Sequence, residues 1–136
     1  MRYLDETRTL LAVAAVLGFL GVALGAFGAH ALARRVPEER LVAFRTGVQY
    51  HLAHAVAIIA VTWIAQGAGQ DLALFAGWAF VAGIALFSGS LYALTLTGRR
   101  TFGAITPLGG VAFLVGWALV LASVVAGPTR VGGPIQ

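Results

Sequence analysis

Charged side chains divide this chain into four uncharged windows, residues 9–33, 46–70, 72–98 and 101–129, each at least 25 residues long. A hydrocarbon layer about 30 Å thick is crossed by roughly 20 helical residues rising about 1.5 Å each, so every window is long enough to span once. Backbone in lipid must satisfy its own polar groups, which leaves helices or closed barrels. Barrel strands would alternate apolar and polar positions over segments of about ten residues, and no such alternation is present. The reading is therefore all-α: an integral membrane four-helix bundle forming a single transmembrane domain, residues 1–136, with spans at about 9–33, 46–66, 72–97 and 103–126. A content of 60% hydrophobic and 10% charged residues is more apolar surface than a water-soluble core absorbs. Ala29-His30-Ala31 resembles a signal-peptide cleavage site, but the apolar run before it is too long and three more spans follow.

The net charge of +4 reads as topology rather than as a nucleic-acid surface, so no nucleic-acid partner is expected. Arg34, Arg35, Arg40, Arg45, Arg99 and Arg100 fall between spans one and two or three and four, whereas Arg2, Arg8 and Arg130 fall on the opposite face. Six against three predicts cytoplasmic arginine loops, with both termini outside. With no cysteine, disulfides and thiolate chemistry are excluded.

Several helix ends carry chemical signals. Arg34 and Arg35 complement the carbonyl-rich end of span one, and Gly98 reads as the C-terminal cap of span three. Pro37-Glu38-Glu39 reads as a helix start before the membrane. Residues 37–45 then admit two readings: an interfacial helix that turns into span two near Thr46-Gly47, or one uninterrupted tilted helix. Thr106-Pro107 resembles an N-cap followed by a first-turn proline, starting the fourth span at Pro107 after a loop that dips Phe102 and Ile105 into the interface.

In lipid, helices associate through small residues that let backbones approach. Gly18, Gly21, Gly25 and Gly28 form such a seam on span one; Ala76, Ala79, Gly83, Ser90 and Thr97 form another on span three, and Gly109, Ala112 and Gly116 a third on span four. A faint repeat lays Gly21-Val22-Ala23-Leu24 over Gly83-Ile84-Ala85-Leu86, and His30 over Tyr92, as two hairpins of the same orientation would.

Polar residues within the spans gather towards the arginine-rich face: His30, Gln49, Tyr50, His51, His54, Ser88, Ser90, Tyr92, Thr95 and Thr106. Such side chains face the protein interior or a wet cavity, so the clustering predicts a polar pocket on the cytoplasmic side. Gly47, His51, His54 and Ile58 share one helical stripe, and Ser88, Tyr92 and Thr95 another, so both stripes can point inward. His30 lies nearly opposite the glycine seam of its own helix and would face a neighbouring subunit or headgroups. For the three histidines, hydrogen bonding to a neighbouring helix is weighed first, ligand or proton work second, and haem or metal binding last. No carboxylate or cysteine lies inside a span to complete a charged site or orient a Ser–His pair, so no cofactor, metal ligand or catalytic residue is assigned, and enzyme activity is not expected.

Four blocks in order, Gly25-Ala26-Phe27-Gly28-Ala29-His30-Ala31-Leu32, Thr46-Gly47-Val48-Gln49-Tyr50-His51 with His54-Ala55, Phe87-Ser88-Gly89-Ser90-Leu91-Tyr92, and Gly103-Ala104-Ile105-Thr106-Pro107-Leu108-Gly109-Gly110, resemble the signature segments of the domain of unknown function 423 family. These are small inner-membrane proteins similar to YgdD and to transmembrane protein 256, and the resemblance covers about residues 10 to 125. It implies a four-helix bacterial inner-membrane protein and brings no activity, cofactor or site residue. The expected function is a structural or accessory membrane component packing against lipids, further copies of itself or a larger membrane complex. The alternative is a small transporter or channel component using the polar pocket.

Overall fold

The computed structural model describes residues 2–67 and 70–126, with side chains from Leu4 onward. Four long apolar helices account for nearly all of it: α1 Arg2–His30, α2 Glu38–Ile64, α3 Gln70–Thr97 and α4 Thr106–Ala126. Three-residue and five-residue 3-10 turns, Leu32–Arg34 and Arg100–Ala104, make the two connections at the arginine-rich end. The chain is thus an all-α, multi-pass membrane bundle. Arg130 and the side chain of Arg2, which enter the arginine count, lie outside the described residues.

α1 starts well before its uncharged window, and Thr9 Oγ1 donates to the Asp5 carbonyl at 2.8 Å. At about 1.5 Å per residue its 29 residues run to roughly 43 Å, so the charged first turns stand clear of the hydrocarbon. α2 is one uninterrupted helix from Glu38, with no turn at Thr46-Gly47; the interfacial helix over 37–45 is therefore replaced by the continuous reading. Helical hydrogen bonding carries straight through because nothing in Thr46-Gly47 removes a donor, and Thr46 Oγ1 folds back onto the Val42 carbonyl at 3.0 Å.

Gly98 ends α3 in the left-handed conformation, φ 71°, its N–H donating to the Leu94 carbonyl at 2.8 Å. A Cβ is disfavoured at that φ, so glycine is the natural residue there. Within α3 the segment Ile84–Ser88 is a π-helical turn, closed by Gly89 N–H to the Ile84 carbonyl.

α2 and α3 form the middle of the bundle, with 44% of each central window buried, against 17% for α1 and 22% for α4. α1 lies on α2 through the glycine seam. A Cβ at Gly21 would sit 2.6 Å from Leu52 Cδ2, at Gly25 3.3 Å from Val48 Cγ1, and at Gly28 2.7 Å from the Phe44 ring. These partners ascend α2 every four residues as the glycines descend α1, the pattern of antiparallel close approach. Gly18 stands apart from the other three, since a Cβ there meets nothing within 4 Å.

α3 and α4 mesh reciprocally. Gly83 receives the Phe113 ring, Gly116 the Phe80 ring, and Gly109 lies against the backbone of Phe87. Gly21 and Gly83, superposed in the internal repeat, thus each pack on the second helix of their own hairpin. Their counterparts His30 and Tyr92 diverge: His30 is exposed and Tyr92 half-buried.

Two apolar cores result. The larger contains Leu10, Ile58, Val61, Phe80 and Phe113; the smaller, at the arginine-rich end, contains Leu32, Leu41 and Phe44. The polar residues lie between and around them.

Candidate functional site

Two separate histidine stations occupy α2. His51 is 3% exposed and its Nδ1 shares a hydrogen bond with the Tyr92 hydroxyl at 3.0 Å. Tyr92 comes this close because Gly47 has no side chain: a Cβ there would meet Tyr92 Cε1 at 2.9 Å. Behind Tyr92, the buried Ser88 donates its hydroxyl to the Gly47 carbonyl at 2.7 Å. That serine sits in the last position of the π-turn, which aims it at α2. The other ring nitrogen, Nε2, is buried and has no hydrogen-bond partner among the described residues.

His54 lies one turn further along and turns towards α4. Its Nδ1 is 2.8 Å from the Tyr50 carbonyl and must donate to it, while Nε2 accepts from Trp117 Nε1–H at 3.2 Å. Both nitrogens are engaged and the tautomer follows: a neutral ring protonated on Nδ1. The ring stacks on Phe113 with centroids 3.6 Å apart and planes 13° from parallel.

Ser90, Thr106 and Thr95 also commit their hydroxyls to neighbours. Ser90 Oγ donates to the Phe87 carbonyl at 2.9 Å and is 2.8 Å from Thr106 Oγ1, joining α3 to the start of α4. Thr106 thus spends its hydroxyl on Ser90. Thr95 Oγ1 reaches the Arg40 carbonyl at 3.0 Å, and Arg40 Nη1 donates to the Thr95 carbonyl at 3.2 Å, a reciprocal tie between the ends of α2 and α3. At the carbonyl-rich end of α3 that cation is doubly favourable.

Of the residues singled out in the sequence, His51, Tyr92, Ser88, Ser90, Thr95 and, on a second face, His54 are brought inward. His30 and Gln49 are exposed, and Tyr50 is 42% exposed with its ring against Phe87 at 4.6 Å. His30 is therefore separated from the His51–Tyr92 group. Among the described residues, no three His, Cys, Asp or Glu side chains are grouped to hold a metal ion. Neither Ser88 nor Ser90 is hydrogen-bonded to a histidine.

Sequence reasoning missed Trp117, the partner of His54. A tryptophan deep in an apolar span still has an N–H to satisfy, and that requirement was the available signal.

The chain matches the family model described as "Protein of unknown function (DUF423)" over residues 24–110. It is similar to the UPF0382 membrane protein YwdK of Bacillus subtilis, 44% identical over 119 residues, covering 87% of this chain and 97% of that protein. It is also similar to the UPF0382 inner membrane protein YgdD of Escherichia coli K12, 39% identical over 122 residues, 88% of this chain and 91% of the relative. No solved structure matches.

Proposed function

Because this chain belongs to the DUF423 family of membrane proteins, whose function is unknown, we propose that it serves the bacterial inner membrane as a structural or accessory component, acting by helix packing against further copies of itself. The observation that carries this reading is Gln49. It is an exposed amide inside a span, and among the described residues nothing is bonded to it. A polar side chain facing lipid is costly, and an interhelical hydrogen bond is its usual remedy.

Gln49 borders a shallow groove between α1 and α2 of about 200 Å³, lined also by Gly25, Gly28, Ala29 and Val48. Beside that groove α1 turns outward Ala15, Val22, Ala26 and Ala29, a stripe of mostly small residues edged by the exposed Phe19, along which a second helix can lie. Ser88, Ser90, Thr95, Tyr92 and one nitrogen each of His51 and His54 bond across to neighbouring helices of the same chain, which supports a packing role, and no reaction is assigned.

Since the chain has no cysteine, single-cysteine variants give a clean test. Ala26→Cys should cross-link between copies in native membranes and Leu121→Cys, on α4, should not; Gln49→Leu should lower the cross-linked fraction. A monomer by native mass spectrometry in mild detergent, with no cross-link at residue 26, overturns the proposal.

The arginine loops are proposed to be cytoplasmic and both termini outside, on the six-to-three arginine count. A reporter fused after Gln136 that is active in the cytoplasm reverses the orientation.

A further inference from the structure

At the arginine-rich end, the first turn of α2 and the last turn of α3 leave a cleft of about 710 Å³ between them. Pro37, Glu39 and Arg40 form one wall, Thr97 and Gly98 the other, and Arg100 of the following 3-10 turn closes the side. α2 begins here without a side-chain cap, so N–H groups of its first turn are left towards this end. Arg40 spends Nη1 on the Thr95 carbonyl; Arg100 is exposed and makes no bond to the described residues. The lining therefore offers two guanidinium groups against the one carboxylate of Glu39, with Arg99 next in the chain.

A second hollow of about 230 Å³ lies under the same 3-10 turn. It runs down α3 over Ala85, Gly89 and Ala93, spaced every four residues, and is roofed by Phe102 and Ile105. Leu86 and Ser90 complete the lining of this mostly apolar hollow, whereas the cleft on the other side of the turn is cationic. The change of character occurs across one turn of chain.

We propose that these two features together form a site for an anionic phospholipid, its phosphate held by Arg100 and Arg40 in the cleft and one acyl chain laid in the groove beneath Phe102 and Ile105. Guanidinium groups match phosphate oxygens in geometry and charge. A small-residue channel starting at the same turn supplies what a free anion would not use. Glu39 lines the same cleft and opposes the phosphate, so the two guanidinium groups leave the lining with an excess of one positive charge. The site is independent of the oligomer contact, which lies on α1 and the adjoining face of α2.

The test uses the purified full chain in detergent, titrated with dioleoyl phosphatidylglycerol, dioleoyl phosphatidylcholine, dioleoyl phosphatidylethanolamine and inorganic phosphate, with bound lipid read by native mass spectrometry and stability by thermal melting. Phosphatidylglycerol should bind at least about fivefold more tightly than either zwitterionic lipid, the factor expected for one arginine near an anionic group. Arg100→Gln should remove most of that preference without lowering the melting temperature of the lipid-free protein. Gly89→Leu, where the nearest atom to an added Cβ is 4.0 Å away, should fill the groove and weaken every lipid. Equal binding of the three lipids, or an unchanged preference in Arg100→Gln, overturns the proposal. Stabilisation by millimolar phosphate equal to that by phosphatidylglycerol identifies a free-anion site and overturns the lipid reading.

Discussion

Replacing each seam glycine of α1 by alanine should separate the residues that make the α1–α2 contact from the one that does not. Alanine is favoured over glycine in a helix by about 1 kcal/mol, and this gain is common to all four positions. Differences between variants therefore isolate the clash. At Gly18 there is none, since nothing lies within 4 Å of the new carbon. At Gly28 the carbon would sit 2.7 Å from the ring of Phe44, itself 1% exposed, where ordinary carbon contacts begin at about 3.5 Å.

A buried ring forced back by most of an ångström corresponds to overpacking of about 1–3 kcal/mol. A 2 kcal/mol gap between Gly28→Ala and Gly18→Ala is roughly a thirtyfold difference in the folded ratio. Gly25→Ala, with Val48 Cγ1 at 3.3 Å, should fall near Gly18→Ala; Gly21→Ala should lie between, because the atom it meets is the movable tip of Leu52. The assay is thermal unfolding in one detergent, followed by tryptophan emission and the surviving size-exclusion peak. Gly28→Ala melting at or above Gly18→Ala would refute the reasoning.

Tyr92→Phe should cost about 1–3 kcal/mol by stranding Nδ1 of the buried His51, and a double-mutant cycle with His51→Leu should show the two losses overlapping. His54→Phe keeps the stack on Phe113 but strands the Trp117 N–H, so Trp117 emission should shift while overall melting falls by about 1 kcal/mol. Thr95→Val removes the hydroxyl that bonds the Arg40 carbonyl and should loosen the end of α3, read as faster amide exchange at Gly98 and little change near Phe80.

The four spans were legible because a run of uncharged residues long enough to cross lipid has few other solutions, and the left-handed cap at Gly98 because few residues other than glycine accept that φ. Facing directions were less so. His51, Tyr92 and Ser88 share stripes that a single rotation turns inward, whereas His30 obeys the geometry of its own helix and points away. Gly18 has the same spacing as its seam neighbours but lies at the edge of the face, a difference of angle that residue type does not record. The continuity of α2 through Thr46-Gly47 and the Trp117–His54 bond depend on where a neighbouring helix lies, which is tertiary information.

The π-turn at Ile84–Ser88 puts the two halves of α3 out of phase by roughly the 100° that one residue contributes to an α-helix. α3 thereby acts as two helices joined without a loop. The half before the turn packs on α4 through Phe80 and Gly83, on Leu10 of α1 through Gly77, and on α2, where Phe80 lies against His54; the half after it ties to α2 through Tyr92 and Thr95 and to the start of α4 through Ser90. Loss of a single codon between Ile84 and Ser88 would leave hydropathy and charge pattern almost untouched. It would swing Tyr92 off His51 and Thr95 off Arg40, so the reading frame of the faces, rather than the composition of the span, is what this stretch of gene has to preserve.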